Sequence, residues 1–132
     1  MKRSKLKKTS SQKKAIAKRA AWREVSKYVR ATEPKCVTCG GPNDHAGHFI
    51  HNITNTKLYL DTSIIHSQCI SCNLYLSGNL AKYTIFMIDT YGKEEVERLL
   101  DLKGSDELAG DKPNEKWYRS IEAKYKALNS ET

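Results

Sequence analysis

Apolar residues along this chain recur first at helical spacing, then in two short runs, then again at helical spacing. Over residues 13–31, Ile16, Ala20, Val25 and Val29 recur with Trp22 and Tyr28 while Lys and Arg fill the other positions, which predicts an amphipathic helix. Glu33-Pro34 ends it, because proline keeps the preceding residue out of helical geometry. Residues 45–53 read as a first strand with Phe49 and Ile50 as apolar content, 52–55 as a turn, and 57–61 as a second, alternating strand. Residues 63–68 lead onward to a helix starting near Cys72, interrupted at Ser77-Gly78-Asn79, continuing over 80–91 and stopped by Gly92. A short amphipathic helix with acids in its first turn is expected over 93–102. After a polar linker (103–113), a last helix over 114–128 carries Trp117, Ile121 and Tyr125 on one stripe.

Length and charge narrow this picture. The 132 residues suffice for one small domain with extensions. A 39% hydrophobic share and a mean hydropathy of −0.66 leave a modest core that calls for a cross-link. The net charge of +8 is concentrated: residues 1–35 hold thirteen Lys and Arg against Glu24 and Glu33, a local +11, and the remainder is at −3. The organisation expected is a disordered basic arm (1–12), a basic helix (13–33), a zinc-stapled domain (34–102), and a linker with a C-terminal helix (103–132). Such an arm neutralises phosphates, with Lys13, Lys14, Lys18, Arg19, Arg23 and Lys27 as the DNA-backbone contacts. The chain's start has no apolar leader, and no run reaches membrane-span length, so a secreted or membrane protein is not expected.

All four cysteines fall in two CxxC knuckles, Cys36/Cys39 and Cys69/Cys72, separated by twenty-nine residues. In a reducing compartment this is the ligand set of a structural Zn²⁺ rather than two disulfides. The intervening length allows a two-stranded excursion that returns to the metal, a treble-clef-like arrangement. Glycines 40 and 41 permit the tight turn that aims backbone amides at the first pair of sulfurs. Between the knuckles stands DHAGHFIHN, and directly after the second stands Asn73. Phosphodiester hydrolysis needs a base to activate water and a hard cation to stabilise developing charge. Histidine suits the first role near neutral pH, and an asparagine carbonyl can ligate a hard cation. His48 and Asn73 form the expected pair, with His45 nearby, provided imidazole and amide converge on one pocket.

The segments CVTCG, HAGHF, HSQCISCN, LSGN and YGKEEVERL, spread over residues 36–102, resemble the phage lambda NinG (Rap) recombination endonuclease family. A more distant similarity is to phage T4 endonuclease VII-type junction resolvases. The resemblance implies an α+β fold: a ββα-metal (HNH, His-Me finger) core stapled by the four-cysteine zinc site and flanked by terminal helices. It implies cleavage of branched DNA such as Holliday junctions and D-loops, leaving 5′-phosphate and 3′-hydroxyl ends. His48 becomes the general base, Asn73 a ligand of catalytic Mg²⁺ or Mn²⁺, and His45 a further metal or phosphate contact. Many HNH enzymes carry a metal-binding aspartate just before the catalytic histidine. Here Gly47 stands there, which leaves Asp44, His45 or Asp61 as the second ligand and Asn52 or Asn55 as the loop brace.

The other polar residues have structural readings. His51 reads as a surface or phosphate contact, and His66 as a donor to a backbone group or zinc sulfur. Asn79 reads as a cap of the following helix, and Trp22, Tyr28, Trp117 and Tyr125 as packing residues. Symmetric resolution of a junction needs two active sites, so a homodimer through the terminal helices is expected, working in the host bacterial cytoplasm. The rival from another class is a non-catalytic zinc module that binds DNA or a recombination or packaging partner. A nicking or packaging HNH enzyme is the alternative within the nuclease class.

Overall fold

The computed structural model describes residues 6–102, 105, 110 and 112–131. Helix α1 (Ser10–Thr32) begins three residues before the expected start, because Thr9 and Gln12 form a reciprocal capping box. It ends at Glu33, as Pro34 requires. Ala17, Ala21, Val25 and Val29, four residues apart, form its buried stripe. Strand β1 (His45–His48) pairs antiparallel with β2 (Ile65–Gln68), with His45 opposite Gln68 and His48 opposite Ile65. A π-helical turn (Ser71–Tyr75) follows, then α2 (Leu80–Tyr91), α3 (Lys93–Leu102) and α4 (Glu115–Ser130). The fold is mixed α+β with a two-stranded sheet. The 103–113 linker lies largely outside the described residues.

Two strand expectations need correction. The first strand is four residues long, not nine: after Phe49 N–H donates to the Ile64 carbonyl, the chain turns away, with Asn52 in the left-handed region at φ 63°. The segment 57–61 is not a strand. It is a 3₁₀ turn (Lys57–Leu60), followed by another (Thr62–Ile64) capped by the Asp61 carboxylate. Its amides are satisfied locally, Tyr59 N–H by Thr56 O and Asp61 N–H by Leu58 O. Leu58 and Leu60 still bury themselves, so no strand partner is needed. The true second strand, IHSQ, is buried at all four positions and so shows no alternation to read.

The break before α2 is as expected: Ser77, Gly78 and Asn79 all have positive φ, and Gly92 at φ 92° closes the helix. Asn79, however, makes no side-chain cap. Its Nδ2 donates to Cys72 Sγ at 3.5 Å.

The core lies between α1, the sheet, α2, α3 and α4, with Val25, Ile64, Ile65, Tyr83, Met87, Leu99 and Tyr118 sealed from solvent. Burying each aliphatic side chain stabilises by about 1.5–3 kcal/mol. The terminal helices pack against each other, Tyr28 meeting Tyr125 edge-on at 5.2 Å and Asn129 Nδ2 donating to the Glu24 carbonyl at 3.0 Å. The faces they bury against each other are therefore used within one chain. The exposed apolar side chains instead include Leu74, Tyr75 and Leu76, directly after Asn73. Among the described residues no helix is long and apolar enough to cross a membrane.

Candidate functional site

The sulfurs of Cys36, Cys39, Cys69 and Cys72 all lie within 4.8 Å of one another, Cys39 and Cys69 being 3.6 Å apart. A tetrahedral zinc with bonds of about 2.3 Å requires similar separations, so the set is fit to hold a metal such as zinc. The knuckle turns aim backbone amides at sulfur: Gly41 N–H at Cys39 (3.4 Å) and Cys72 N–H at Cys69 (3.3 Å). Burial pushes the Cys36 thiol up, but hydrogen bonds from Thr38 and nearby amides prevail and bring it down to about 6. The Gly41 amide pulls the Cys39 thiol down, but the sulfurs of Cys36, Cys69 and Cys72 outweigh it and push it up to about 12. Four thiols this close cannot all ionise unaided, and a divalent cation removes that conflict.

The hairpin has two chemically different faces. Partners across an antiparallel pair share a face and neighbours along a strand alternate. His45, Gly47, His66 and Gln68 therefore lie on one face, and Ala46, His48, Ile65 and Ser67 on the other. The first face receives the π-turn and α2. Asn73 Nδ2 meets His45 Nδ1 at 3.1 Å, and Tyr83 Oη donates to the Gly47 carbonyl at 2.7 Å. A Cβ placed on Gly47 would lie 2.9 Å from Asn73 Oδ1 and 1.9 Å from Gln68 Oε1. His66, expected to donate to a backbone group or a zinc sulfur, meets the Ser63 carbonyl through Nε2 at 3.1 Å and Glu33 Oε2 through Nδ1 at 2.7 Å. Glu33 also accepts from Ser67 N–H, which pins the end of α1 to β2.

The second face receives α1. The His48 ring packs with Trp22 (4.9 Å, 22°) and Tyr59 (4.6 Å, 10°), which also touch each other at 5.4 Å, so the three rings form one cluster. His48 Nε2 lies 2.7 Å from the Tyr59 carbonyl, which can only accept, so Nε2 carries the proton and Nδ1 the lone pair. Burial lowers the His48 pKa. The Tyr59 carbonyl opposes this and the charge of His51 adds to it.

His48 and Asn73 thus do not share one pocket, contrary to the expected convergence, because alternation turns them to opposite faces. The structure brings His45, not His48, against Asn73. Asn73, His45, Asp44 and Leu74 line a cleft closed by Trp22, Ser26 and Arg30 of α1, whereas His48 opens beside Ile50, His51, Thr54 and Tyr59. Trp22 borders both regions.

The remaining candidates have other occupations. Asp61 Oδ1 accepts from Ser63 N–H and Oγ–H, and Asp44 Oδ2 accepts from Ile70 N–H. Asn55 Oδ1 meets Lys18 Nζ at 3.4 Å, a brace between the loop and α1. Lys18 also covers the Tyr59 ring at 5.0 Å, and burial lowers its pKa, with Lys14 adding to the effect. Lys13, Lys14, Arg19, Arg23 and Lys27 are exposed. Sequence reading missed Arg30, Tyr59 and Gln68 as site residues and took Trp22 for packing alone. The four-residue spacing of Lys14, Lys18, Trp22, Ser26 and Arg30 was the available signal: one helix stripe runs past the whole site.

The family model described as Bacteriophage Lambda NinG protein matches residues 1–131. The chain belongs to the NinG family. Protein ninG of Escherichia phage 933W is 29% identical to it over 125 residues, covering 84% of this chain and 58% of that protein. Protein ninG of Salmonella phage P22 is 27% identical over 125 residues, covering 84% and 57%. That of Escherichia phage lambda is 28% identical over 95 residues, covering 64% and 47%. The chain spans about half the length of these NinG relatives. No solved structure matches it.

Proposed function

We propose that this NinG-family chain is a metal-dependent DNA endonuclease of the HNH, or His-Me finger, type acting on branched recombination intermediates such as Holliday junctions and D-loops. One observation carries the reading. Position 47, where HNH enzymes of the kind this chain resembles hold a metal-binding aspartate, lies against the side-chain oxygen of Asn73. On this reading Asn73 and the strand position one residue before His48 would flank the cation.

Asn73 through Oδ1 would hold the Mg²⁺ or Mn²⁺, while His45, whose Nδ1 accepts from Asn73 Nδ2, would orient that amide and offer its Nε2–H to phosphate. When bound, such a cation stabilises charge on the phosphate and on the leaving oxygen. The separation of His48 from Asn73 suits a base, whose lone pair must stay free of the metal. Burial beside the Trp22 and Tyr59 rings favours the neutral imidazole, and the Tyr59 carbonyl fixes the tautomer with Nδ1 available to take a proton from water. Arg30 in the cleft and the exposed lysines and arginines of α1 supply phosphate contacts, and the exposed Leu74–Leu76 stretch supplies a surface for a second copy. The work would be done in the cytoplasm of an infected bacterium.

The competing reading is a zinc module that binds DNA without cutting it. The same aromatic cluster favours it, because a stacked, hydrogen-bonded histidine can serve packing alone. Cleavage of a labelled four-way junction under Mg²⁺ or Mn²⁺ by the wild type, and not by a zinc-retaining His48→Ala variant, decides for the nuclease. A wild type inert on junction, flap and linear duplex decides for the module.

A further inference from the structure

Gln68 has no place in the chemistry described so far, yet it is the most constrained polar side chain at the site. It ends β2 directly before Cys69, is fully buried, and faces His45 across the hairpin. Its Nε2 donates to the Gly78 carbonyl at 2.7 Å and to Thr38 Oγ1 at 3.2 Å, so both amide protons are used. Reversing the amide would set its oxygen against the Gly78 carbonyl oxygen, so the orientation is fixed. Its Oε1 is buried and has no hydrogen-bond partner among the described residues. Native interiors rarely leave such an acceptor empty.

Where that oxygen points is set by Gly47. A Cβ there would lie 1.9 Å from Gln68 Oε1, closer than any real contact, and 2.9 Å from Asn73 Oδ1. The glycine has no positive φ to explain it. Its role is to leave room for the glutamine oxygen. Asn73 commits its Nδ2 to His45, so its own oxygen turns to the same spot. Both amide oxygens flank the position a Cβ on Gly47 would take, so a cation coordinated by both would satisfy the empty acceptor. Asp44 and Asp61, the carboxylates nearest in sequence reasoning, already accept backbone amides.

We propose that Gln68 Oε1 is the second protein oxygen ligand of the catalytic divalent cation, beside Asn73, taking the place of the carboxylate that Gly47 lacks. This rests on the nuclease reading above. It adds that the site carries no carboxylate charge from position 47 or 68, so a cation binds weakly to the free protein and tightly once a DNA phosphate supplies the missing negative charge.

The test uses the full-length, zinc-loaded protein and Mn²⁺ as the probe, alone and with a four-way junction. The chain has two glutamines, Gln12 in the capping box of α1 and Gln68. Labelling the glutamine side-chain carbonyl with ¹³C, in a Gln12→Ala background, therefore reports Gln68 alone. Pulsed electron–nuclear resonance on bound Mn²⁺ is expected to show a ¹³C coupling of a directly ligated carbonyl. Gln68→Glu is expected to tighten Mn²⁺ binding to the DNA-free protein about tenfold or more, and Gln68→Met to weaken binding in the junction complex by a similar factor, at unchanged zinc content. Should Gln68→Met not fold, the label on the native glutamine still answers. Mn²⁺ bound without ¹³C coupling, while wild type cleaves and Asn73→Ala abolishes binding, overturns the glutamine ligand and leaves the nuclease intact. Wild type that neither binds Mn²⁺ with DNA nor cleaves overturns both.

Discussion

Two sites sit side by side in this chain, Cys72 serving one and Asn73 the other, and they are built on opposite plans. The sulfur site draws four potentially anionic ligands from two knuckles into one closed set. The amide site offers neutral oxygens and an imidazole at the edge of an open cleft. The first plan suits a metal that never leaves, the second a cation that comes with its substrate. On the proposed reading, a metal on the four sulfurs would hold the hairpin rigid while the neighbouring ligand set would be completed only by DNA.

The largest effect expected is on removing the sulfur-bound metal. Stripping zinc with a thiol-compatible chelator, or Cys72→Ser, should unfold the hairpin and π-turn, since structural zinc contributes on the order of 10 kcal/mol to folding of such domains. Metal analysis combined with a circular-dichroism melt reads this directly. Withholding Mg²⁺ and Mn²⁺ from the zinc-loaded protein should leave the melt unchanged. A chain that melts alike with and without zinc would erase the contrast.

Next in size is the base. His48→Ala should lower junction cleavage by about 10²–10⁴-fold with zinc and junction binding retained. His45→Ala should instead raise the Mn²⁺ concentration needed for half-maximal rate. If the two variants exchange phenotypes, the base lies on the Asn73 face after all.

How much of this was legible beforehand depended on whether residues signalled through spacing or through contact. The zinc ligands, the helix ends at Pro34 and Gly92, and the break at residues 77–79 were readable, because knuckle spacing and glycine or proline geometry act locally. The strands were read less well. IHSQ is buried on both faces and has no alternation, while KLYLD has alternation but satisfies its backbone within its own turns. The pair His48 and Asn73 was picked from type and position, but the face each occupies follows from a register that only the folded hairpin sets. Trp22 and Tyr59 meet His48 from residues far apart in sequence, and Gln68 gave no signal beyond its place before Cys69.

The aromatic cluster around His48 offers a sharper test with a moderate effect. Trp22→Ala removes one wall of the His48 pocket and should cost about 3 kcal/mol, the low end for an aromatic truncation because Trp22 is only partly buried. It should also raise the His48 pKa toward the ordinary imidazole value, since burial is what lowers it. In the wild type the acid limb of kcat/KM should therefore fall below pH 6.5, and in Trp22→Ala move up toward it. Stability follows the same proton. The contribution is fully present above pH 6.5, where neither state is protonated at residue 48. It is lost as pH falls through the window down to the depressed folded value, because only the unfolded chain takes up the proton there. A limb that stays put in Trp22→Ala would separate the aromatic cluster from the base.

The smallest effects belong to the basic helix, and they separate surface charge from site geometry. Arg19, Arg23 and Lys27 recur every four residues on the exposed side of α1, so each can meet a phosphate without disturbing the core. Replacing one by Ala should weaken binding to junction and linear duplex about equally, and reduce the slope of log affinity against log salt by roughly 0.9 per lost contact. Lys18 differs, because its ammonium lies over Tyr59 and against Asn55 in the wall that holds His48. Lys18→Ala should change the salt slope less than Arg23→Ala yet lower the cleavage rate more, since loosening Tyr59 loosens the carbonyl that orients the base. Equal salt slopes and equal rates for the two variants would show that charge alone, and not the stack beneath it, is what α1 contributes.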